Sequence, residues 1–110
     1  MFNVNGPIVN MSGAENQCQG AVVNGLSTMM NLEVGIENGR IIAGNFTEYP
    51  ILRMNDAPQV DVHFIQSDNI PTGVGEPALP PVAPAIANTV FAAGGLGLRS
   101  MPFRKAGLTT

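Results

Sequence analysis

The stretch SGAENQCQGAVVNGLSTMM, residues 12–30, decides the fold because it predicts the long helix against which the rest of the chain must pack. Ser12 and Glu15 match the Ser-x-x-Glu pattern of a capping box, which predicts a helix from near Gly13 to near Met30. Small and apolar residues recur in it every three or four positions and indicate one apolar stripe. The stripe consists of Ala14, Cys18, Ala21, Val22, Gly25, Leu26 and Met29. Gly20 and Gly25, in the middle of this helix, destabilise it by about 1 kcal/mol each relative to Ala. We therefore expect another part of the protein or a cofactor to pack closely against the helix.

Antiparallel strands are predicted after this helix. Apolar residues alternate with polar residues or glycine from Leu32 to Glu37, and Asn38-Gly39 is typical of a type I′ turn. That turn pairs Ile36 with Ile41 and Glu37 with Arg40, in a return strand that we expect to reach about residue 46. Alternation in VDVHFI, residues 60–65, predicts a third strand.

A second helix is predicted from about Val82 to Ala93, with Pro84 in its first turn and Gly94-Gly95 ending it. Before it, residues 67–84 are rich in Pro and Gly and poor in charge, which favours an ordered loop over a flexible linker. The order of elements predicts an α+β fold, with a small antiparallel sheet (the hairpin plus the third strand) packed against two helices. We expect residues 1–110 to form a single domain.

The composition excludes several classes of function. Apolar residues make up 45% of the chain and charged residues 12%, so we expect a packed core and some neutral surface meant for a partner. With a net charge of −3 and only five basic residues, the chain has no basic stripe that could follow the phosphates of a nucleic acid, so no nucleic-acid partner is expected. One cysteine and one histidine exclude an internal disulfide and a Cys/His metal cluster.

No run approaches the roughly 20 apolar residues needed to cross a membrane, so no membrane span is expected. The N-terminus lacks the basic-then-apolar pattern of a signal peptide. We therefore expect the chain alone to be cytoplasmic, with a periplasmic location open if an exported partner carries it.

Glu76 is the candidate catalytic residue on local grounds. It is the only ionisable residue between Asp68 and Arg99, and it lies in the sequence Gly73-Val74-Gly75-Glu76-Pro77. Gly75 permits close approach of the backbone, and Pro77 restricts Glu76 to extended dihedral angles. Desolvation in an apolar loop would favour the protonated form and suit a general base. These features alone leave two interpretations open, a functional carboxylate and a solvated turn residue.

The remaining polar candidates carry weaker signals. His63, on a predicted strand, is expected to be a surface or hydrogen-bonded histidine. Cys18, on the apolar stripe, is expected to be a core residue rather than a nucleophile. Gln17 and Gln19 can either bind a polar ligand or face water.

Several motifs in order resemble the xanthine dehydrogenase/aldehyde oxidase family of molybdenum hydroxylases, with isoquinoline 1-oxidoreductase as the most similar type. The resemblance covers nearly the whole chain and is strongest to the C-terminal part of the molybdopterin-binding large subunit. The motifs are QCQGAVVNGL (17–26), YPILRMNDAP (49–58), GVGEP (73–77), PPVAPAIAN (80–88) and RSMPF (99–103).

The resemblance implies an oxidoreductase that hydroxylates aldehydes or N-heterocycles at a molybdopterin cofactor, with water as the oxygen source. It implies that Glu76 is the general base, that Gln17 lies against the pterin, and that the backbone of Gly75 lies close to the molybdenum site. Large subunits of this family are several times longer. We therefore expect a fragment or small subunit, inactive and without cofactor when isolated, whose partners are the remainder of the molybdenum-binding subunit and an iron–sulfur subunit. The alternative is a non-catalytic remnant domain that self-associates as a homo-oligomer.

Overall fold

The computed structural model describes residues 6–108. Helix α1 (Met11–Asn31) is followed by strands β1 (Ile36–Glu37) and β2 (Arg40–Ile41), a 3-10 turn (Met54–Asp56) and helix α2 (Val82–Gly94). Two helices and a small antiparallel sheet confirm the predicted α+β class.

Helix α1 begins two residues before the predicted start because Asn10, not Ser12, caps it. The Gly13 N–H donates to Asn10 Oδ1 at 2.9 Å, and Ser12 Oγ donates to the same oxygen at 3.1 Å. Asn is among the strongest N-cap residues, and its side chain satisfies an N–H that the first turn leaves without a partner. The predicted capping box is therefore wrong, whereas the apolar stripe is confirmed. The buried residues of α1 are Ala14, Cys18, Ala21, Gly25, Met29 and Met30.

Helix α2 has the predicted position and packs closely on α1. Gly95 ends it with φ at +74°, and the Gly95 N–H donates to the Phe91 carbonyl at 2.7 Å. This is the left-handed C-cap that glycine favours. The contact with α1 is made at Gly25, where an added Cβ would lie 3.0 Å from Val82 Cβ. The close neighbour expected from the α1 glycines is therefore α2 at Gly25, whereas a Cβ added at Gly20 would meet no atom of residues 6–108 within 4 Å.

The hairpin has the predicted register but is shorter than predicted. Ile36 pairs with Ile41 and Glu37 with Arg40, around positive φ angles of 48° at Asn38 and 77° at the following glycine. The return strand ends at Ile41 instead of reaching residue 46. Residues 45–49 form a turn instead, in which backbone and side-chain oxygens of a single asparagine accept several hydrogen bonds.

The predicted packing of a three-stranded sheet against the helices is not found in residues 6–108. All four strand residues are exposed, and neither strand contacts a helix. Residues 60–65 keep the side-chain alternation of a strand. Val60, Val62 and Phe64 are half-buried on one face, and Asp61, His63 and Ile65 are exposed on the other. They form no ladder with any other part of residues 6–108. The alternation is present, but the described chain supplies no partner strand.

The C-terminal tail docks on the end of α1. The Phe103 N–H donates to the Met29 carbonyl at 2.8 Å and the Arg104 N–H to the Met30 carbonyl at 3.4 Å. Phe103 is buried with both methionines and Val82 in one core cluster. Because the tail satisfies carbonyls that a helix end leaves without partners, it stabilises the C-terminus of α1.

Candidate active site

A cleft of about 500 Å³ separates α1 from the turn that precedes α2. The three residues predicted from sequence, Gln17, Gly75 and Glu76, all line it. The other lining residues are Gly20, Ala21, Asn24, Leu79 and Pro80. The fold therefore brings together two segments that are distant in sequence.

Helix α1 supplies one wall of the cleft, with two amide side chains on one face. Gln17 and Asn24 are seven residues apart, which is close to two helical turns. Gly20 lies between them, and a Cβ added there would meet no atom within 4 Å. Helix α1 thus offers amide donors and acceptors on either side of Gly20, where no side chain projects into the cleft. Asn24 was not singled out from the sequence, although its seven-residue spacing from Gln17 was the available signal.

The opposite wall is the turn that carries Glu76. The Leu79 N–H donates to the Glu76 carbonyl at 3.0 Å, and the Val82 N–H donates to the Leu79 carbonyl at 3.2 Å. Two successive turns therefore connect Glu76 directly to the start of α2. Ala78 is buried against Cys18 and Ala21 of α1, which holds this turn on the helix.

The beginning of the same loop is also held in place. The Gly6 N–H donates to Ser67 Oγ at 3.0 Å. A Cβ added at Gly6, where φ is +108°, would lie 2.6 Å from Pro71 Cα. The two segments meet so closely that only glycine fits, which agrees with the ordered loop predicted from its prolines.

The Glu76 carboxylate is exposed at the mouth of the cleft. Within residues 6–108 its side chain makes no ion pair and no hydrogen bond. The desolvation expected from the sequence is therefore not provided by this part of the chain. The carboxylate is free to accept a proton from, or a hydrogen bond of, a group placed in the cleft.

The other polar candidates lie outside this cleft. Cys18 is 7% exposed, and burial raises the pKa of its thiol, so it remains protonated at neutral pH and acts as a core residue. His63 is exposed and lies at a second, apolar groove. Gln19 Nε2 donates to the Val60 carbonyl at 3.4 Å, so Gln19 tethers residues 60–65 to α1.

The donor set of the cleft suits an organic cofactor rather than a metal ion held by protein side chains. Nowhere in residues 6–108 do three or more His, Cys, Asp or Glu residues form a group that could hold a metal. The cleft offers two amides, one carboxylate and two glycines, which can hydrogen-bond a flat polar heterocycle at short range.

None of the helices in the described range is both long and apolar enough to span a membrane.

Comparison with known proteins finds large oxidoreductases. The chain is 41% identical over 101 residues to a membrane-bound aldehyde dehydrogenase [pyrroloquinoline-quinone] of Gluconacetobacter polyoxogenes, covering 92% of this chain and 13% of that protein. It is 37% identical over 90 residues to the beta subunit of isoquinoline 1-oxidoreductase of Brevundimonas diminuta, covering 82% and 12%. It is 34% identical over 98 residues to a nicotinate dehydrogenase subunit of Pseudomonas putida, covering 88% and 8%. No protein-family model matches the chain.

Among solved structures, the fold matches a Cu,Mo-CO dehydrogenase with a TM-score of 0.73 and 16% sequence identity. The match covers 96% of this chain and 16% of the other. The chain thus spans at most about an eighth of the curated relatives that it matches, and the same fold occurs as a small part of a longer chain.

Proposed function

Since the chain belongs to the xanthine dehydrogenase/aldehyde oxidase family of molybdenum hydroxylases, we propose that it supplies the general-base glutamate, Glu76, and part of the molybdopterin-site wall of a larger enzyme. That enzyme would oxidise aldehydes or N-heterocycles with water as the oxygen source. The observation that carries the proposal is the meeting of Gln17, Gly75 and Glu76 in one cleft.

Three residues of the cleft have a task in this proposal. Gln17 donates and accepts hydrogen bonds along the edge of the pterin, and Gly75 leaves room for its close approach. An oxygen of the Glu76 carboxylate accepts the proton that is released as the substrate carbon is hydroxylated. When bound, molybdopterin would supply the redox chemistry.

The isolated chain is inactive in this proposal because the cleft between α1 and the Glu76 turn is open to solvent, and Gln17, Gly75 and Glu76 are all exposed. Exclusion of water strengthens electrostatic interactions in an active site, and here the remainder of the large subunit would have to exclude it. Two of the relatives are named as subunits, and all three are far longer than this chain. We therefore propose the remainder of the molybdenum-binding subunit and an iron–sulfur subunit as partners.

Glu76 is tested in a chimaeric enzyme. This chain replaces the aligned segment in the beta subunit of the Brevundimonas isoquinoline 1-oxidoreductase, and the chimaera is expressed with its partner. We expect Glu76→Gln to lower kcat for isoquinoline by roughly 10²-fold or more, the size of a general-base contribution. Glu37→Gln, in the exposed hairpin outside the cleft, is the matched control and should keep full activity. Undiminished turnover in Glu76→Gln at unchanged molybdenum content would refute the assignment.

The cofactor is tested separately because one relative is named for pyrroloquinoline quinone. The same replacement is made in the Gluconacetobacter enzyme, and molybdenum and extractable quinone are both measured. We expect molybdenum, and we expect Gln17→Ala to lower its content while Gln19→Ala, whose amide contacts Val60, does not. An active chimaera that contains quinone and no molybdenum contradicts the cofactor assignment.

A non-catalytic, self-associating domain is the second candidate, and the exposed hairpin favours it. Ile36, Ile41, Ile42 and Phe46 are all more than half exposed. Apolar side chains clustered in this way commonly mark an interface. Sedimentation of the isolated chain as a strict monomer up to roughly 100 μM, well above a typical dimer Kd, would exclude this candidate.

A further inference from the structure

We propose that the main-chain edge of residues 60–65 binds a β-strand contributed by the part of the large subunit that lies outside this chain. This inference rests on the proposed function, because it requires the chain to work within a longer subunit. The added strand would pair with the edge through main-chain hydrogen bonds and place apolar side chains in the neighbouring groove.

Residues 60–65 have one packed face and one open face, as a strand at the edge of a sheet has. Val62 and Phe64 pack on the cluster formed by Cys18, Ala21 and Ala78. The intervening residues Asp61, His63 and Ile65 are exposed. This period of two fixes the segment against α1 and leaves it ready to accept a neighbour in one register.

The main-chain groups of this segment make no main-chain hydrogen bonds with any other residue of the range 6–108. One of them has a side-chain partner, since the Val60 carbonyl accepts from Gln19 on α1. In a strand, successive residues direct their N–H and C=O groups to opposite sides. The Val60 carbonyl lies on the edge that faces the Gln19 side chain, so Asp61, His63 and Ile65 direct their main-chain groups to the opposite edge. An edge with such a row of N–H and C=O groups is a template for strand pairing.

The sequence does not block this edge. Features that keep natural edge strands single include Lys and Pro on the edge, and residues 60–65 contain neither, with Asp61 as their one acidic residue. Beside them lies an apolar groove of about 490 Å³, whose other walls include Val22 of α1 and Val82 and Ile86 of α2. Apolar groove walls next to open main-chain groups favour an extended apolar segment as the occupant.

The remainder of the large subunit is the occupant to which these observations point. The chain spans 13% or less of its relatives, so most of their sequence is available to supply a strand. The same fold occurs within a longer chain, of which it makes up 16%. A strand of six residues, roughly 20 Å long, would cover the edge from end to end.

Amide hydrogen exchange tests the proposal directly. The full chain is mixed with the Gluconacetobacter aldehyde dehydrogenase expressed without the segment that aligns with this chain, and peptides covering residues 60–65 are followed. We expect exchange in these peptides to slow by roughly 100-fold or more on complex formation, because pairing must open before exchange. Exchange in the exposed hairpin, residues 36–41, serves as the internal comparison.

A matched pair of substitutions at His63 separates the backbone from the side chain. His63→Pro removes the N–H, whereas His63→Ala keeps it and removes the same exposed imidazole. We expect His63→Pro to weaken the complex about tenfold, the effect of one lost hydrogen bond, and His63→Ala to change its Kd by less than about twofold. Circular dichroism of both isolated variants checks that the fold is retained, and the exchange measurement on the unsubstituted chain stands without them.

Four results obtained with chains of full length would overturn the inference, and a fifth would come from a shortened chain. The four are a complex without protection at residues 60–65, equal weakening by both His63 variants, the absence of any complex, and protection that arises in the chain alone with rising concentration. The last result identifies a second copy as the occupant. Protection must also persist in a chain that starts at Gly6, since its loss there would make residues 1–5 the occupant.

The outcome is distinguishable from that of the proposed function. If turnover of the complex depends on Glu76 but the amides of residues 60–65 exchange freely, only the proposal of strand pairing at residues 60–65 is overturned. Protection at these residues in a complex whose turnover ignores Glu76→Gln overturns the catalytic proposal alone.

Discussion

Replacement of Gly25 by alanine tests the contact between the two helices. A Cβ at this position would lie 3.0 Å from Val82 Cβ and 3.1 and 3.3 Å from its two methyl groups. These distances are shorter than most Cβ contacts in proteins, and Val82 Cβ is fixed to the backbone of α2. The added methyl group therefore cannot be accommodated by a side-chain rotation, and the helices must separate by a few tenths of an ångström.

Two effects of opposite sign set the magnitude. Alanine is favoured over glycine in a helix interior by about 1 kcal/mol. Overpacking of a well-packed core costs about 1–3 kcal/mol. We therefore expect Gly25→Ala to lower the free energy of unfolding by about 1 kcal/mol, equivalent to a fall in Tm of about 4–8 °C. Gly20→Ala, in the same helix but with open space around the new Cβ, should gain up to about 1 kcal/mol.

Urea unfolding followed by circular dichroism measures both variants. The double variant Gly25→Ala/Val82→Ala supplies a further control, since the smaller side chain at position 82 makes room for the new methyl group. A coupling free energy of about 1 kcal/mol in this double-mutant cycle is expected. If Gly25→Ala stabilises the protein as much as Gly20→Ala does, the close helix contact and the reasoning from it are refuted.

Three further predictions concern the tail, the helix cap and the buried thiol. Phe103→Ala should lower the free energy of unfolding by about 3–5 kcal/mol because its ring is 4% exposed, whereas Met101→Ala, at a side chain that is 62% exposed, should be near neutral in the same urea assay. Asn10→Ala should cost about 1 kcal/mol and Ser12→Ala only a few tenths, and the reverse order in thermal unfolding would restore Ser12 as the cap. Burial raises the pKa of the Cys18 thiol, so the unfolded chain loses this proton first and the free energy of unfolding should fall as the pH rises above the ordinary value of 9.0. Urea titrations between about pH 7 and 10 check this, and the extra pH dependence should disappear in Cys18→Ala.

Features that local chemistry determines could be predicted from the sequence. The hairpin register followed from Asn38-Gly39, because few residue pairs adopt two successive positive φ angles. The end of α2 followed from Gly95 for the same reason. The meeting of Gln17 and Glu76 had a different source, because it was implied by family resemblance and not by any local pattern.

Features that depend on competition or on absent sequence could not be predicted. Asn10 and Ser12 can both cap a helix, and two oxygens competing for the same N–H groups give no local signal of which prevails. The third strand had the correct alternation at Val62 and Phe64, but pairing needs a second strand that residues 6–108 do not supply. Asn24 is an exception, because its helical spacing from Gln17 could have placed its amide in the cleft from the sequence alone.

The contact at Gly25 also explains how a fold with a small core can hold the geometry of the candidate active site. Gln17 lies eight residues before Gly25 on α1, a distance of about 12 Å along a rigid helix. Glu76 is joined to Val82 by two hydrogen-bonded turns, so its position follows that of α2. The approach of Val82 to Gly25 therefore sets the separation of Gln17 and Glu76 across the cleft. A glycine that weakens the helix by about 1 kcal/mol is the structural condition for a cleft of this width, because any larger residue would displace the Glu76 turn from the wall that carries Gln17.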